Sequence, residues 1–215
     1  MTRTGEERLN VYDAEARVVG ARERRAAKAS GMAVGAINVL VVNAGSEVLL
    51  QRRHEGVENG GRWDKSVGGH VSAGESFDAA AVREASEELF DRDRSERVRL
   101  AEDPAGFAGL LAGADLAREV VLRRVALHRN LRDVRHAPEG GVRNVLYHVA
   151  IYLGRSDLEL AGFSPQAAEI ADLRWFAPGR VDEMLLRGEL APNMAFLWLA
   201  HGQELLSLAA PRAAK

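Results

Sequence analysis

The chain has 215 residues, 47% of them hydrophobic and 28% charged, with a formal net charge of −2. That is enough apolar material for one sizeable core, and neither the charge nor the composition points to a nucleic-acid or membrane partner. The absence of cysteine excludes disulfides, thiolate metal sites and cysteine nucleophiles, and makes a reducing cytoplasm the simplest setting. The start, MTRTGEERLN, lacks an apolar signal core, and the longest apolar stretch, Met32 to Val42, is shorter than the about 20 residues that a helix needs to cross a bilayer.

In chain order, Leu9–Tyr12 and Arg17–Val19 read as a hairpin around Asp13-Ala14-Glu15-Ala16, followed by a short Arg- and Ala-rich helix to about Ser30. Ala36–Asn43 and Val48–Arg52 read as strands around the turn Ala44-Gly45-Ser46. Ser76 is placed to cap a helix over 77–90, with Asp78 in its first turn and no Gly or Pro inside. The charged run Asp91–Arg99 reads as a solvated face or loop, and Pro104–Ala117 as a helix inserted over the site. Val120–His128 and Asn144–Leu153 are predicted strands joined by a polar loop containing Pro138-Glu139-Gly140-Gly141. Asp172–Phe176 is a last strand, and Val181–Arg187 and Met194–Leu208 are helices. The organisation expected is an N-terminal hairpin and helix (1–31) packed on a main domain (32–208), with a short tail (209–215). The apolar run Phe196-Leu197-Trp198-Leu199 suits core packing, a protein contact or a homodimer seam equally.

The chemistry concentrates between Gly69 and Glu88. Gly69 is followed by five residues and Glu75, then by seven residues and Arg83-Glu84-Ala85-Ser86-Glu87-Glu88. At about 100° per residue, Val82, Ala85 and Leu89 fall on one stripe of the helix, and Glu84, Glu87 and Glu88 on another. Three neighbouring carboxylates repel one another, so the helix needs either open water or a cation there. Hard oxygen ligands favour Mg²⁺, with Mn²⁺ a plausible substitute. Gly68 and Gly69 permit close backbone approach, Gly74 suits a tight turn, and Glu75 and Arg83 are spaced to pair across the loop–helix junction. A phosphate-gripping P-loop is excluded, because it needs Lys and then Ser or Thr after its second glycine and Glu75 stands there instead.

This pattern resembles the signature of the Nudix hydrolases, with Phe90 and Asp91 where that family usually closes the motif with a glycine and an aliphatic residue. Without the glycine stop, the helix is free to run on into Asp91–Arg99. The resemblance implies a Nudix-type α/β/α sandwich with a mixed β-sheet and the motif helix at the active site. It also implies a divalent ion held by the Gly69 carbonyl, Glu84, Glu87 and Glu88, and hydrolysis of a phosphoanhydride in a small diphosphate substrate, a nucleoside diphosphate by family base rate. The proton acceptor is Glu87, Glu88 or Glu169, and Arg83 orients Glu84 or Glu87. Arg52 or Arg53, alternating on one strand, could clamp a phosphate. Arg143 and Asn144 could read a head group, and Trp63 and Tyr147 could stack on a base or belong to the core.

The runs Glu47-Val-Leu-Leu-Gln-Arg-Arg and Arg62-Trp-Asp-Lys-Ser-Val-Gly-Gly-His are similar to the Nudix branch that groups with isopentenyl diphosphate isomerase. Yet Gly68 stands at the isomerase's catalytic cysteine, Arg143-Asn144-Val145 at its Glu-Asn-Glu trio, and Ala26 or Ala27 and Val34 at two of its histidine ligands, leaving only His70. Hydrolysis is therefore expected over isomerisation. A noncatalytic nucleotide-sensing domain is a further alternative, disfavoured because the glutamates are kept. His54, His128, His148 and His201 show no metal-ligand spacing.

Overall fold

A computed structural model describes residues 7–90, 95–136, 142–165 and 168–209. The expected Pro138–Gly141 loop, residues 91–94 of the charged run and all of the tail except residue 209 lie outside them. Ten strands and five α-helices are found among the described residues. β1 (Arg8–Tyr12) and β2 (Val18–Glu23) form the hairpin, and α1 (Arg24–Ala29) follows. β3 (Ala33–Val42) and β4 (Val48–Arg53) come next, then the short strands β5 (Trp63–Asp64) and β6 (Val67–His70). After α2 (Phe77–Leu89) come β7 (Val98–Ala101), α3 (Pro104–Gly113), β8 (Val120–His136), β9 (Val142–Arg155), β10 (Ile170–Phe176), α4 (Pro178–Leu186) and α5 (Pro192–Ala209).

The main sheet runs β10-β4-β3-β9-β8-β7, and β6 and β1 also pair with β3. It is mixed: β3 lies parallel to β9 and β7 parallel to β8, while β8 and β9, and β4 and β10, are antiparallel. β3 is almost wholly buried because both of its faces are covered, which accounts for its nearly continuous apolar sequence. Ile37, Val39 and Val41 turn to one side and meet Ala81, Ala85 and Leu89 of α2 with Tyr152 of β9. Leu40 and Val42 turn to the other and join Phe107 of α3, Val181 and Met184 of α4, and Met194, Leu197 and Trp198 of α5. The two-residue alternation of a strand thus produces the three layers of an α/β/α sandwich.

Two expectations need correction. α2 does not run on: it stops at Leu89, and Phe90 swings to an extended conformation (φ −132°, ψ 151°) while its N–H still reaches the Ser86 carbonyl at 3.2 Å. Burial supplies the stop that the missing glycine does not. The Phe90 ring stacks on Phe163 with centroids 5.9 Å apart and carries the Arg97 guanidinium 4.1 Å from its own centroid. The end of the charged run enters the sheet: after a single turn at Ser95–Arg97, Val98–Ala101 pairs beside β8 through buried Val98 and Ala101. The second correction concerns α3, which packs on the face opposite α2 and so does not cover the motif helix.

Candidate active site

α2 begins where Ser76 Oγ accepts the Ala79 N–H at 3.1 Å, and Asp78 in its first turn takes a hydrogen bond from buried Tyr152 at 2.7 Å. The preceding turn reverses at Gly74, whose φ of +81° suits a residue without a side chain. Packing of α2 against β6 and β3 brings the helix over Gly68 and Gly69. The approach is close: a Cβ on Gly69 would sit 2.0 Å from the Glu84 carboxyl, and one on Gly68 would sit 2.1 Å from Lys65 Cε.

Arg83 organises the motif acids. Its guanidinium meets Glu75 at 2.8 Å, Glu84 at 2.9 Å and Glu87 at 3.4 Å, and donates to the His70 carbonyl at 3.1 Å. Burial works against its charge, but Glu75 and Glu84 outweigh that and raise its pKa. Glu88 points at the sheet instead, accepting the Gly68 N–H at 3.2 Å and the Gln51 amide at 3.1 Å. Burial lifts Glu88 to about 8 and the Glu84 charge adds to it, against the pull of Lys65. Glu84 is lifted to about 7, again by burial first, with Glu87 and Glu7 adding to it and Arg83 opposing. Glu87, more exposed, also lines a groove of about 430 Å³ along α2 with Arg83, Val82 and Leu100.

Held this way, the acids share one side of α2 without converging. Among the described residues no three His, Cys, Asp or Glu side chains form a ready cation cage. The residues nevertheless fit a divalent ion. Two adjoining carboxylates, Glu84 and Glu88, are pushed toward neutrality, first by burial and then by neighbouring acids, and a bare glycine backbone leaves room beside Glu84.

The remaining sequence-predicted residues divide. Arg53 lies on the Gln51 side of β4 and pairs with Asp64 at 3.2 Å, whereas Arg52 turns the other way and donates to the Gly61 carbonyl at 3.0 Å. Glu169 is exposed in the turn before β10, where its backbone carbonyl accepts the His54 N–H at 2.8 Å. Arg143 and Asn144 are not brought to the acids. They lie near the start of β9, where the Arg143 side chain is outside the described part and Asn144 accepts from Arg132 at 3.4 Å. Asn144 is six residues along β9 from Ala150, the position that pairs with Ile37 opposite Gly69, or roughly 20 Å at strand rise. Trp63 packs edge-on against Phe176 at 4.7 Å in the core on the α5 side, while Tyr147 stays half-buried near His70.

Sequence reasoning missed Gln51, Asp64 and Lys65. Strand alternation could have found Gln51, which shares a face with Arg53. Asp64 and Lys65 form a buried ion pair at 3.2 Å beneath Glu88, and Lys65 with its backbone N–H keeps the Asp64 pKa low despite burial. His70 and the N-terminal unit were also undervalued. Burial, and then the charges of Lys28, Arg24, Lys65 and Arg83, hold the His70 pKa well below its usual value.

Residues 32–106, which run from β3 through the motif helix into α3, match the model of the NUDIX domain. The similarity to that domain is confined to this segment. One solved structure shares the fold. The crystal structure of DR0079 from Deinococcus radiodurans superposes with a TM-score of 0.58 at 20% identity, covering 95% of this chain and 100% of that one. The Nudix hydrolase RenU from M. smegmatis gives 0.48 at 18% identity over 85% of this chain and 89% of its own. The NUDIX domain of Shewanella oneidensis NrtR, complexed with ADP ribose, gives 0.49 at 13% identity over 80% and 88%. No curated protein sequence matches the chain. Gly69, Arg83 and all three glutamates lie inside the matched NUDIX segment, whereas β1, β2 and α1 precede it.

Proposed function

We propose that this protein is a divalent-metal-dependent pyrophosphohydrolase that cleaves the phosphoanhydride bond of a diphosphate-linked substrate, a nucleoside diphosphate by preference. One observation carries the reading: Glu84 and Glu88 sit side by side above Gly68 and Gly69, and burial without enough counter-charge raises both pKa values. Such an arrangement is costly for folding alone and useful for holding a cation.

Mg²⁺, or Mn²⁺ in its place, would be held by the Gly69 carbonyl, Glu84, Glu87 and Glu88. When bound, it supplies charge neutralisation at the phosphate oxygens and acidifies water. The protein's own groups do the rest. Arg83, anchored by Glu75 and the His70 carbonyl, orients Glu84 and Glu87. Gln51 and the Gly68 N–H fix Glu88. A motif carboxylate, Glu87 or Glu88, takes the proton of the attacking water. Glu169 is the third candidate, from its exposed turn. Arg53 lies on the same face of β4 as Gln51 and can approach a phosphate by exchanging Asp64 for it. The setting we infer is cytoplasmic; among the described residues no helix is long and apolar enough to cross a membrane.

The test is hydrolysis of a panel of nucleoside di- and triphosphates, nucleoside diphosphate sugars, dinucleotides, coenzyme A and isopentenyl diphosphate with Mg²⁺ or Mn²⁺, beside Glu87→Gln and Glu88→Gln. Metal-dependent phosphate release that falls at least about a hundredfold in one or both variants is the expected result. Activity surviving both substitutions rejects the site, and isomerisation of isopentenyl diphosphate would transfer the protein to the isomerase chemistry.

A further inference from the structure

On the face of the sheet opposite α2, β8 and α5 bring two histidines together. Their separation by 73 residues leaves no spacing motif in the sequence, yet His128 Nε2 and His201 Nε2 stand 2.6 Å apart. The His128 ring is set at 75° to Phe196 of α5, with centroids 5.6 Å apart, which fixes its direction. His201 is anchored through its other nitrogen, Nδ1, which lies 3.0 Å from Glu204 Oε2 one turn along α5. A carboxylate accepts and does not donate, so Nδ1 carries the His201 proton and Nε2 keeps its lone pair, aimed at His128. Neither histidine belongs to the matched NUDIX segment, which ends at residue 106.

Carboxylate, imidazole and outward lone pair, in that order, is the arrangement that orients a histidine toward a metal ion. As a hydrogen bond, the pair holds one proton between two nitrogens. As ligands, the same atoms suit a borderline divalent ion such as Zn²⁺, Ni²⁺ or Cu²⁺, whereas Mg²⁺ prefers oxygen. Zn–N bonds of about 2.0–2.1 Å at a tetrahedral angle place two nitrogens roughly 3.3 Å apart, so the rings need part by only about 0.7 Å. His128 then carries its proton on Nδ1. Burial, and then His201, hold the His128 pKa below its ordinary value, which keeps this ring neutral and able to ligate near pH 7. Among the described residues no third His, Cys, Asp or Glu joins the pair, so water completes the coordination. α5 packs on β3, β5 and β9, and an ion between the histidines would fasten it to β8 as well.

We propose that His128 and His201 form a second metal site, separate from the motif carboxylates, which takes a borderline divalent transition ion and clips α5 to β8. Its existence is independent of whether the protein hydrolyses diphosphates. The experiment is calorimetric titration of the full chain with Zn²⁺ in excess Mg²⁺, which occupies the oxygen ligands of α2 and leaves imidazole available. Wild type is compared with His128→Gln, His201→Asn, Glu204→Ala and Glu88→Gln. Wild type should bind one equivalent of Zn²⁺ with a micromolar dissociation constant. Either histidine substitution should weaken binding by about a hundredfold, and Glu204→Ala by about tenfold, as for an outer-shell partner. Glu88→Gln should leave it unchanged, because that carboxylate lies on the other face of the sheet. Saturating Zn²⁺ should raise the melting temperature of wild type by about 5 °C and leave that of His201→Asn in place. The electron paramagnetic resonance spectrum of wild type with one equivalent of Cu²⁺ should carry coupling to two imidazole nitrogens, a reading that stands even where a variant misfolds. No Zn²⁺ binding by wild type in excess Mg²⁺, binding that survives both histidine substitutions or is lost in Glu88→Gln, or a copper spectrum without nitrogen coupling would overturn the proposal.

Discussion

Substituting Gly69 by alanine tests the site through a single methyl group. Gly69 lies in β6 opposite Ile37, and its backbone is not in the left-handed region, so alanine is conformationally acceptable there. The obstacle is Glu84: the added Cβ would stand 2.0 Å from its carboxyl carbon, where ordinary contact begins at 3.4 Å. The carboxyl must therefore retreat by about 1.4 Å, and being the far end of a flexible side chain it can do so without unfolding the sheet. Stability should fall by about 1 kcal/mol, the low end for an added methylene in a packed region. Activity should suffer far more, because misplacing a catalytic group by about 1 Å is worth roughly a hundredfold in rate. The assay pairs urea denaturation with kcat/KM and metal titration. A folded Gly69→Ala protein with wild-type kcat/KM and metal affinity would refute the argument that Gly69 exists to admit Glu84. A loss of stability of several kcal/mol would instead place the glycine's role in the sheet.

Three further outcomes follow from the same packing. Asp64, with its side chain 4% exposed between Lys65 and Arg53, leaves two cations beneath the site without a counter-charge when changed to asparagine. Asp64→Asn should therefore cost about 3 kcal/mol or more in urea, and a loss below 1 kcal/mol would contradict it. Tyr152→Phe removes the hydroxyl that donates to Asp78 at 2.7 Å. Because Asp78 is half-exposed and can take up water, the loss should be near the low end for a charged partner, about 1.5 kcal/mol, with no change in KM. The His128–His201 contact, 2.6 Å between ring nitrogens, joins β8 to α5. Burial, and then His201, lower the His128 pKa below its ordinary 6.5, so the unfolded chain takes up this proton first. The stability it contributes is present above pH 6.5 and is lost as pH falls toward the depressed folded value. Melting temperatures of wild type should drop faster between pH 7 and 5 than those of His128→Gln, and parallel curves would exclude the effect.

Much of this molecule is legible along the chain because the signals are local. The spacing Gly69, Glu75, Arg83, Glu84, Glu87, Glu88 depends only on a tight turn and a helical repeat, and both form as read. Ser76 as a cap and the apolar runs of β3, β4 and β9 are equally local. What escaped depends on partners distant in sequence. Val98–Ala101 is a strand despite its charged surroundings because β8, some twenty residues later, offers it an edge. Phe90 ends α2 because Phe163 supplies a stacking surface. Glu88 faces Gln51 instead of sharing an open ridge with Glu87, because helix phase relative to the sheet is a packing decision.

The sequence by itself determined that one helix would carry three acids next to a close-approach glycine, since backbone geometry and residue spacing suffice for that. Only the tertiary structure decided which acids are desolvated, and that Arg83 gathers two of them while Gly68 and Gln51 hold the third. Those outcomes rest on burial and on charges brought together from distant segments, and neither exists until the chain has closed on itself.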